Sequence, residues 1–366
     1  MTQTNLVFTL ALQNVEHIGD ITAKKLIRHC GCAENVFKES RNTLLKIDCI
    51  GTKLIKDLHN SCHIAAAESE IQFLQDHKIE AHYFEDSDYP ERLKHCIDGP
   101  ILLFSKGNIN IQNQPMISIV GTRKITTKGV FFCESLIEQL KPYNPIIVSG
   151  FAYGTDIVAQ KAASANNLQT IGCLAHGFDQ MYPKIHQKYV ERIEAHGGFY
   201  TDFWSTSPFK RTNFLKRNRI IAGLSEATIV IESASKGGSL VTADIAISYN
   251  REVFAVPGRT TDEHSKGCND LIKFHRAHML TQAEDIPYIL NWKLESEKGP
   301  EQQKLFVDLN PEEIIICDVL RDESKMLLDI IALRSEMPTY KVASLLLNLE
   351  LKGVVRPLPG KQFELI

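Results

Sequence analysis

Between residues 115 and 285 the hydrophobic period of the chain switches repeatedly. Short apolar runs, MISIV (116–120), IIVS (146–149), QTIGCLA (169–175), GFYTDF (198–203), ATIVIE (227–232) and EVFAV (252–256), alternate with amphipathic stretches such as VFFCESLIEQL (130–140) and DIVAQKAASA (156–165). A continuously apolar strand must be covered on both faces, and strands separated by helices join in parallel. The segment therefore predicts an α/β fold with a doubly wound, mostly parallel sheet. Ligands of such sheets bind outside the carboxyl ends of the strands. Residues 79–114, with DYPERL and PILLFSKG, read as added edge structure.

The flanks follow other rules. Residues 5–75 read as helices broken by glycine, in which HIGDITAKKLI (17–27) and CIGTKLIKDL (49–58) look like degenerate copies of one another. They resemble a helix-hairpin-helix, whose helix-start amides can hold phosphate, but both lack the second glycine of the hairpin. A helical packing domain over 1–78 is the expectation, followed by the sheet domain over 79–291. Residues 292–308 are polar and read as a linker. Over 309–366, helical patterns end in YKVASLLLNLELKG and then VVRPLPGKQFELI, which suggests a winged helix. Its acids, Glu312, Glu313, Asp318, Asp322, Glu323, Asp329 and Glu336, outweigh its cations, and its recognition helix offers mainly Lys341. Contact with protein or domain packing fits that charge better than contact with duplex DNA.

Composition narrows the class. The chain has 366 residues, more than one ordinary core, with 43% hydrophobic and 23% charged residues, as in soluble globular proteins. No run approaches the roughly 20 apolar residues that span a bilayer. The opening MTQTNLVFTLALQNVEHIG has neither a basic region nor a cleavage site, so a buried first helix is expected rather than a signal peptide. Nine cysteines lack paired CxxC spacing, Cys30 and Cys32 coming nearest. They predict reduced thiols in the cytoplasm and no metal cage. A net charge of −3 requires any nucleic-acid footprint to be a local patch.

Four turns after strands carry candidate chemistry. In VGTRKITTKG (120–129), Gly121 lets the chain turn sharply and Arg123 can grip phosphate bidentately. The second and third glycines of GxGxxG are missing, so this is not a dinucleotide fingerprint. In SGFAYGTD (149–156), Gly150 and Gly154 bracket a tight passage and Asp156 is placed to cap the next helix. In SASKGGSL (233–240), Gly237, Gly238 and Ser239 open a helix whose amides form an anion nest. The fourth, VPGRT (256–260), carries Gly258 and Arg259. Opposite them stands FLKRNRIIAG (214–223), preceded by Lys210 and Arg211, with no acid between Asp202 and Glu226. Its pattern predicts a helix that shows Lys216 and Arg217 early and buries Leu215, Ile220, Ile221 and Leu224. A solvated face is the bland reading and a phosphate surface the sharper one. His176, in CLAHGFD, is a lone acid–base candidate without a visible carboxylate partner and is read as structural. No Ser-His-Asp set, metal cluster or Walker loop is visible.

Taken in order, GTRKITTKG, SGFAYGTDIVAQKAA, GFDQMYPKIH, FLKRNRIIAGLS, KGGSLVTADIA, REVFAVPG and GCNDLI resemble the DNA-processing protein A family (DprA, also called Smf). The resemblance covers about 115–275 and the three-part layout. It implies a Rossmann-like domain that forms a homodimer, binds single-stranded DNA in a basic pocket, and hands the strand to the RecA recombinase during natural transformation; the missing catalytic motifs predict no enzyme activity and no cofactor. Carried over residue by residue, Gly121, Thr122 and Arg123 form the strand-binding turn. Lys216, Arg217 and Asn218 belong to the basic pocket, with Lys210 and Arg211 beside them, and Gly237, Gly238 and Ser239 form the amide wall. Thr122 replaces the commoner serine, His186 the usual Asn, Thr201-Asp202 the usual Ser-Glu, and Arg276-Ala277 the usual Gly-Ala. One rival is a nucleotide phosphoribohydrolase with PGGxGTxxE, against which KGGSLVTAD (236–244) has Lys236, Leu240, Val241 and Asp244. The other is a transcription regulator acting through the tail, which the acidity of that tail disfavours.

Overall fold

The computed structural model describes residues 2–112, 114–294, 309–321, 325–358 and 362–365, in two compact units, residues 1–295 and 296–366. Most of the expected linker, together with Asp322 and Glu323 of the acidic tail, lies outside the described residues.

Six helices come first: α1 (Gln3–Asn14), α2 (Asp20–Cys30), α3 (Ala33–Lys38), α4 (Arg41–Leu44), α5 (Thr52–Ile55) and α6 (Cys62–Asp76). Then come β1 (Glu80–Tyr83), α7 (Glu91–Lys94), β2 (Leu102–Gly107), β3 (Met116–Val120), α8 (Thr127–Leu140), β4 (Ile146–Ser149), α9 (Thr155–Ala165) and β5 (Thr170–Cys173). The unit continues with α10 (Gln187–Ala195), β6 (Gly197–Thr201), α11 (Arg211–Leu224), β7 (Ala227–Val230), α12 (Gly238–Ser248), β8 (Glu252–Ala255), α13 (Lys266–Lys273), β9 (His278–Met279) and α14 (Asp285–Leu290).

The sheet runs β1-β2-β6-β5-β4-β3-β7-β8-β9. From β6 to β9 every pairing is parallel, and β1 and β2 add an antiparallel edge. This is the doubly wound Rossmann-like sheet read from the apolar runs. The chain moves outward from β3 through β4 and β5 to β6, returns to β7 on the other side of β3, and then moves out again. The switch in winding direction therefore falls between β3 and β7, where a ligand crevice opens. Every residue of β3, β4, β5, β6 and β7 is buried, as the continuous apolar runs required. The one polar side chain in β3, Ser118, donates to the Ile221 carbonyl at 2.7 Å and so ties α11 to the sheet.

The N-terminal helices share one apolar core with this sheet. Asp20, in the first turn of α2, accepts from the Ile101 amide at 2.9 Å, and Trp204 Nε1 donates to Gln13 Oε1 at 2.7 Å. Arg219 of α11 pairs with Asp20 and with Asp202, at 2.9 and 2.5 Å. Counter-charges absent from the local sequence thus arrive from α2 and from the end of β6. Burial works against the Arg219 charge, but the two carboxylates outweigh it and hold its pKa up.

The second unit holds α15 (Pro311–Arg321), β10 (Met326–Leu327), α16 (Leu328–Arg334), α17 (Thr339–Leu351), β11 (Val355–Leu358) and β12 (Gln362–Leu365), with strand order β10-β12-β11. Helices followed by an antiparallel hairpin give the winged helix expected. Lys341, the cation offered by α17, pairs with Glu312 of the same unit.

Candidate nucleic-acid interface

At the switch point the turn after β3 is held backbone to backbone. The Thr122 amide donates to the Glu232 carbonyl at 2.8 Å, and the Thr155 amide donates to the Thr122 carbonyl at 3.1 Å. A Cβ on Gly121 would lie 2.3 Å from Thr155 Oγ1. Gly154 has φ +75°, and a Cβ there would meet the Thr122 carbonyl at 2.3 Å. Both positions need glycine. The Glu232 carboxylate fixes the rest of the loop, accepting from the Thr126 amide at 2.9 Å and from Thr126 Oγ1 at 2.5 Å. Thr126 in turn caps α8. Held this way, Arg123 projects into solvent with its guanidinium 5.1 Å over the Phe214 ring.

Across the crevice, α12 opens after Gly237 with no side chain capping it, so its first amides face outward. Ser239 is buried and donates to Ser233 Oγ at 3.0 Å, while Asn218 Nδ2 donates to the Gly238 carbonyl at 3.3 Å. The floor is Arg217, only 4% exposed. Its Nη1 donates to the carbonyls of Gly150 and Cys173, at 2.6 and 2.5 Å, beyond the ends of β4 and β5. A Cβ on Gly150 would come within 2.6 Å of both terminal nitrogens and 2.5 Å of Asp156 Oδ2, so that passage also needs glycine. Burial raises the pKa of Asp156, and the Arg217 charge opposes the rise. Burial lowers the pKa of Arg217, and Asp156 opposes the fall. Asp156 is not the helix cap expected of it: Gly154 is the N-cap of α9, and Asp156 follows one residue into the helix as a buried countercharge.

These elements enclose a depression of about 650 Å3. It gathers Gly121, Thr122, Arg123, Arg211, Arg217, Asn218, Gly237, Gly238 and Ser239 from the residues expected on sequence. Lys210 and Lys216 do not line it. Lys210 is the exposed N-cap of α11, and Lys216 lines a separate hollow with Asp20, Asp202 and Arg219. The reason is helix phase. Because α11 starts at Arg211, residues 214, 217, 218 and 221 share the crevice side. The same phase leaves Leu215, expected to be buried, 52% exposed at the rim. The fourth turn also stays outside, with the amide and carbonyl of Gly258 bonded to the Asn269 side chain.

Sequence reasoning missed one cation and three aromatic rings among the lining residues. Lys236 adds a cation, and Tyr182, Phe209 and Phe214 form an aromatic wall. Phe209 lies 4.8 Å from Tyr182 and 5.6 Å from Phe214 between ring centroids. The alternation of aromatic and basic residues in PFKRTNFLKR (208–217) carried the signal. Among the described residues, Arg123, Arg211 and Lys236 have no carboxylate within ion-pair distance.

Other titratable groups serve the frame. His176 is 1% exposed, its Nδ1–H donates to the Gly177 carbonyl at 2.8 Å, and its Nε2 accepts from the Tyr182 amide at 3.2 Å. It positions the Tyr182 loop, and burial lowers its pKa. A Ser-His-Asp chain does assemble in space: Asp88 Oδ2 to His82 Nδ1 at 2.6 Å, and His82 Nε2 to Ser105 Oγ at 2.8 Å. Its residues come together only through the β1–β2 pairing. Ser105 is 6% exposed in a strand paired on both sides, which leaves a substrate carbonyl no approach. Asp244, the aligned hydrolase carboxylate, pairs with Arg276 and does not line the depression. Among the described residues no group of three His, Cys, Asp or Glu could hold a metal.

The model of the DNA recombination-mediator protein A family matches residues 80–291, and that of the DprA winged helix domain matches 307–361. Protein Smf of Escherichia coli is 33% identical over 281 residues, 74% of each chain. DNA processing protein DprA of Streptococcus pneumoniae is 35% identical over 201 residues, 55% of this chain and 71% of that one. The X-ray structure of the pneumococcal protein superposes with a TM-score of 0.67 at 29% identity, over 80% of this chain and 99% of that one. A structure of DNA processing protein A from Helicobacter pylori, described for its single-stranded DNA binding mode, gives a TM-score of 0.53 at 25% identity, over 58% of this chain and 96% of that one.

Proposed function

Because the chain belongs to the DNA recombination-mediator protein A family, we propose that it binds single-stranded DNA in the switch-point depression and acts in recombination by passing that strand to the RecA recombinase. One observation carries the binding reading. Arg123, Arg211 and Lys236, with no carboxylate within ion-pair distance among the described residues, share one concavity with the uncapped amides of α12 and an aromatic wall. Cations and amides suit phosphates, while exposed rings suit unpaired bases, which a duplex keeps stacked inside. Lys210, the exposed N-cap of α11, and Lys216 add positive charge outside the depression. The Helicobacter relative, described for binding single-stranded DNA, supports the same assignment.

The remaining parts rest on family membership together with local features. Transfer to the recombinase during transformation follows the role that the resemblance implies. Assembly as a homodimer is supported by the short edge strand β9, where Met279 and nearby Phe274 are 54% and 63% exposed. Nine free cysteines suit the cytoplasm, and among the described residues no helix is long and apolar enough to cross a membrane. Binding without turnover is the reading for nucleotides, since Asp244 is engaged by Arg276 outside the depression.

Fluorescence anisotropy with one labelled oligonucleotide, single-stranded or annealed, tests the proposal. At about 150 mM salt, a concentration at which phosphate contacts are already weakened, the single strand is expected to bind more tightly. Equal affinity for both forms would overturn it.

A further inference from the structure

Tyr182 and Phe209 line the switch-point depression and also a second one, of about 600 Å3, on their other side. The two rings are 37% and 43% exposed, although ring burial is usually favourable. They are also held in place. Tyr182 is fixed through its amide by His176, whose own carbonyl accepts from Thr201 Oγ1 at 2.8 Å. Phe209 is braced by Phe214. The pair is a fixed ridge between two hollows.

The hollows differ in chemistry. The first offers Arg123, Arg211 and Lys236 above the buried Arg217. The second is lined by Asp179, Gln180, Met181, Lys184 and Gln187 beside the two rings. One cation against one carboxylate gives little attraction for a phosphate. Two amides and a carboxylate supply donors and acceptors that match the edges of bases, and the rings and the Met181 thioether supply apolar faces.

We propose that the second depression is a nucleobase subsite, in which bases of the same strand continue past the Tyr182–Phe209 ridge while its phosphates remain on the cationic side. The inference rests on the single-strand reading of the first depression. It assigns Gln180 and Gln187 to base edges and the two rings to base faces.

Anisotropy over a length series of oligothymidylates separates the two claims. The variants are Gln180→Ala/Gln187→Ala, Phe209→Ala and, for the first depression, Arg123→Ala. The double variant should match the parent on the shortest strands that bind, and fall behind by about fivefold on longer ones, as expected for lost hydrogen bonds. Its slope of log K against log salt should stay parental, because a base contact releases no counterion. Phe209→Ala should weaken binding by about tenfold, the scale of one lost base stack. If the double variant and Phe209→Ala both bind long strands like the parent while Arg123→Ala does not, the subsite is wrong and the first depression stands. If the double variant instead loses salt dependence, the second hollow holds phosphate, and the assignment to bases fails. Parental binding by Arg123→Ala as well would remove both readings together.

Discussion

Arg123 and Arg217 line the same depression, yet the structure gives them opposite consequences when removed. Arg123 is exposed and rests over one ring, so Arg123→Ala forfeits an exposed cation–π contact of about 0.5–1 kcal/mol. Arg217 is 4% exposed. Arg217→Ala strips two carbonyls of their donor and leaves Asp156 buried without its compensating charge. Losing one side of such a buried arrangement costs about 3–5 kcal/mol. For a folded unit of this size that lowers the melting temperature by on the order of 10 °C, against a degree or two for Arg123→Ala. Binding should reverse the order of specificity. Arg123→Ala should reduce the slope of log K against log salt by about 0.7, one phosphate on a single strand, while the protein stays folded. Differential scanning calorimetry and anisotropy between 50 and about 300 mM salt, a range that resolves such slopes, measure both quantities on each variant. An Arg217→Ala protein that melts like the parent but loses one unit of salt dependence would show that Arg217 is a free phosphate ligand rather than a clamp. An Arg123→Ala protein with parental slope would place the strand elsewhere.

Three further outcomes follow from the same geometry. Arg219→Ala leaves Asp20 and Asp202 facing each other unneutralised; it should cost about 3–5 kcal/mol in denaturant unfolding and leave strand affinity per folded molecule unchanged, since Arg219 lies outside the depression. Burial depresses the pKa of His176 below its unfolded value of about 6.5. The stability from its neutral form is therefore present above that pH and lost as pH falls from about 6.5 toward the depressed folded value, and His176→Asn should flatten this part of a pH–stability curve. A chain ending at residue 295 should bind single strands within about twofold of the full chain, less than one phosphate contact contributes, because Lys341 of the winged unit is already engaged by Glu312.

The sheet was legible because its strands are buried on both faces. MISIV and IIVS coincide with β3 and β4 to the residue, and the other apolar runs lie within a residue or two of their strands. β9 was not readable, since two exposed residues, His278 and Met279, carry no period. The glycine turns were legible for the same reason that they are needed, as places where a side chain would strike backbone or a neighbour. What could not be read was pairing across long separations. Arg219 looked like one more unopposed cation because its partners sit 199 and 17 residues away. The Ser105–His82–Asp88 chain needs a strand register before it exists. Arg217 lines the crevice with which its sequence grouped it, but its burial under two carbonyls follows from the phase of α11, which depends on where that helix starts.

That phase sets a limit on how this stretch of sequence can change. Along eight residues, α11 gives Phe214, Arg217, Asn218 and Ile221 to the crevice, Lys216 and Arg219 to the side of α2, and Ile220 to the core. Each residue added to or removed from a helix turns everything beyond it by about 100°. A single codon gained or lost between 214 and 217 would turn Arg217 and Arg219 together relative to Phe214, so the two strand ends and the carboxylates of Asp20 and Asp202 would lose their partners at once while Phe214 kept its place. Length variation in this family member belongs in the loop before Arg211, where an extra residue can bulge without rotating the rod.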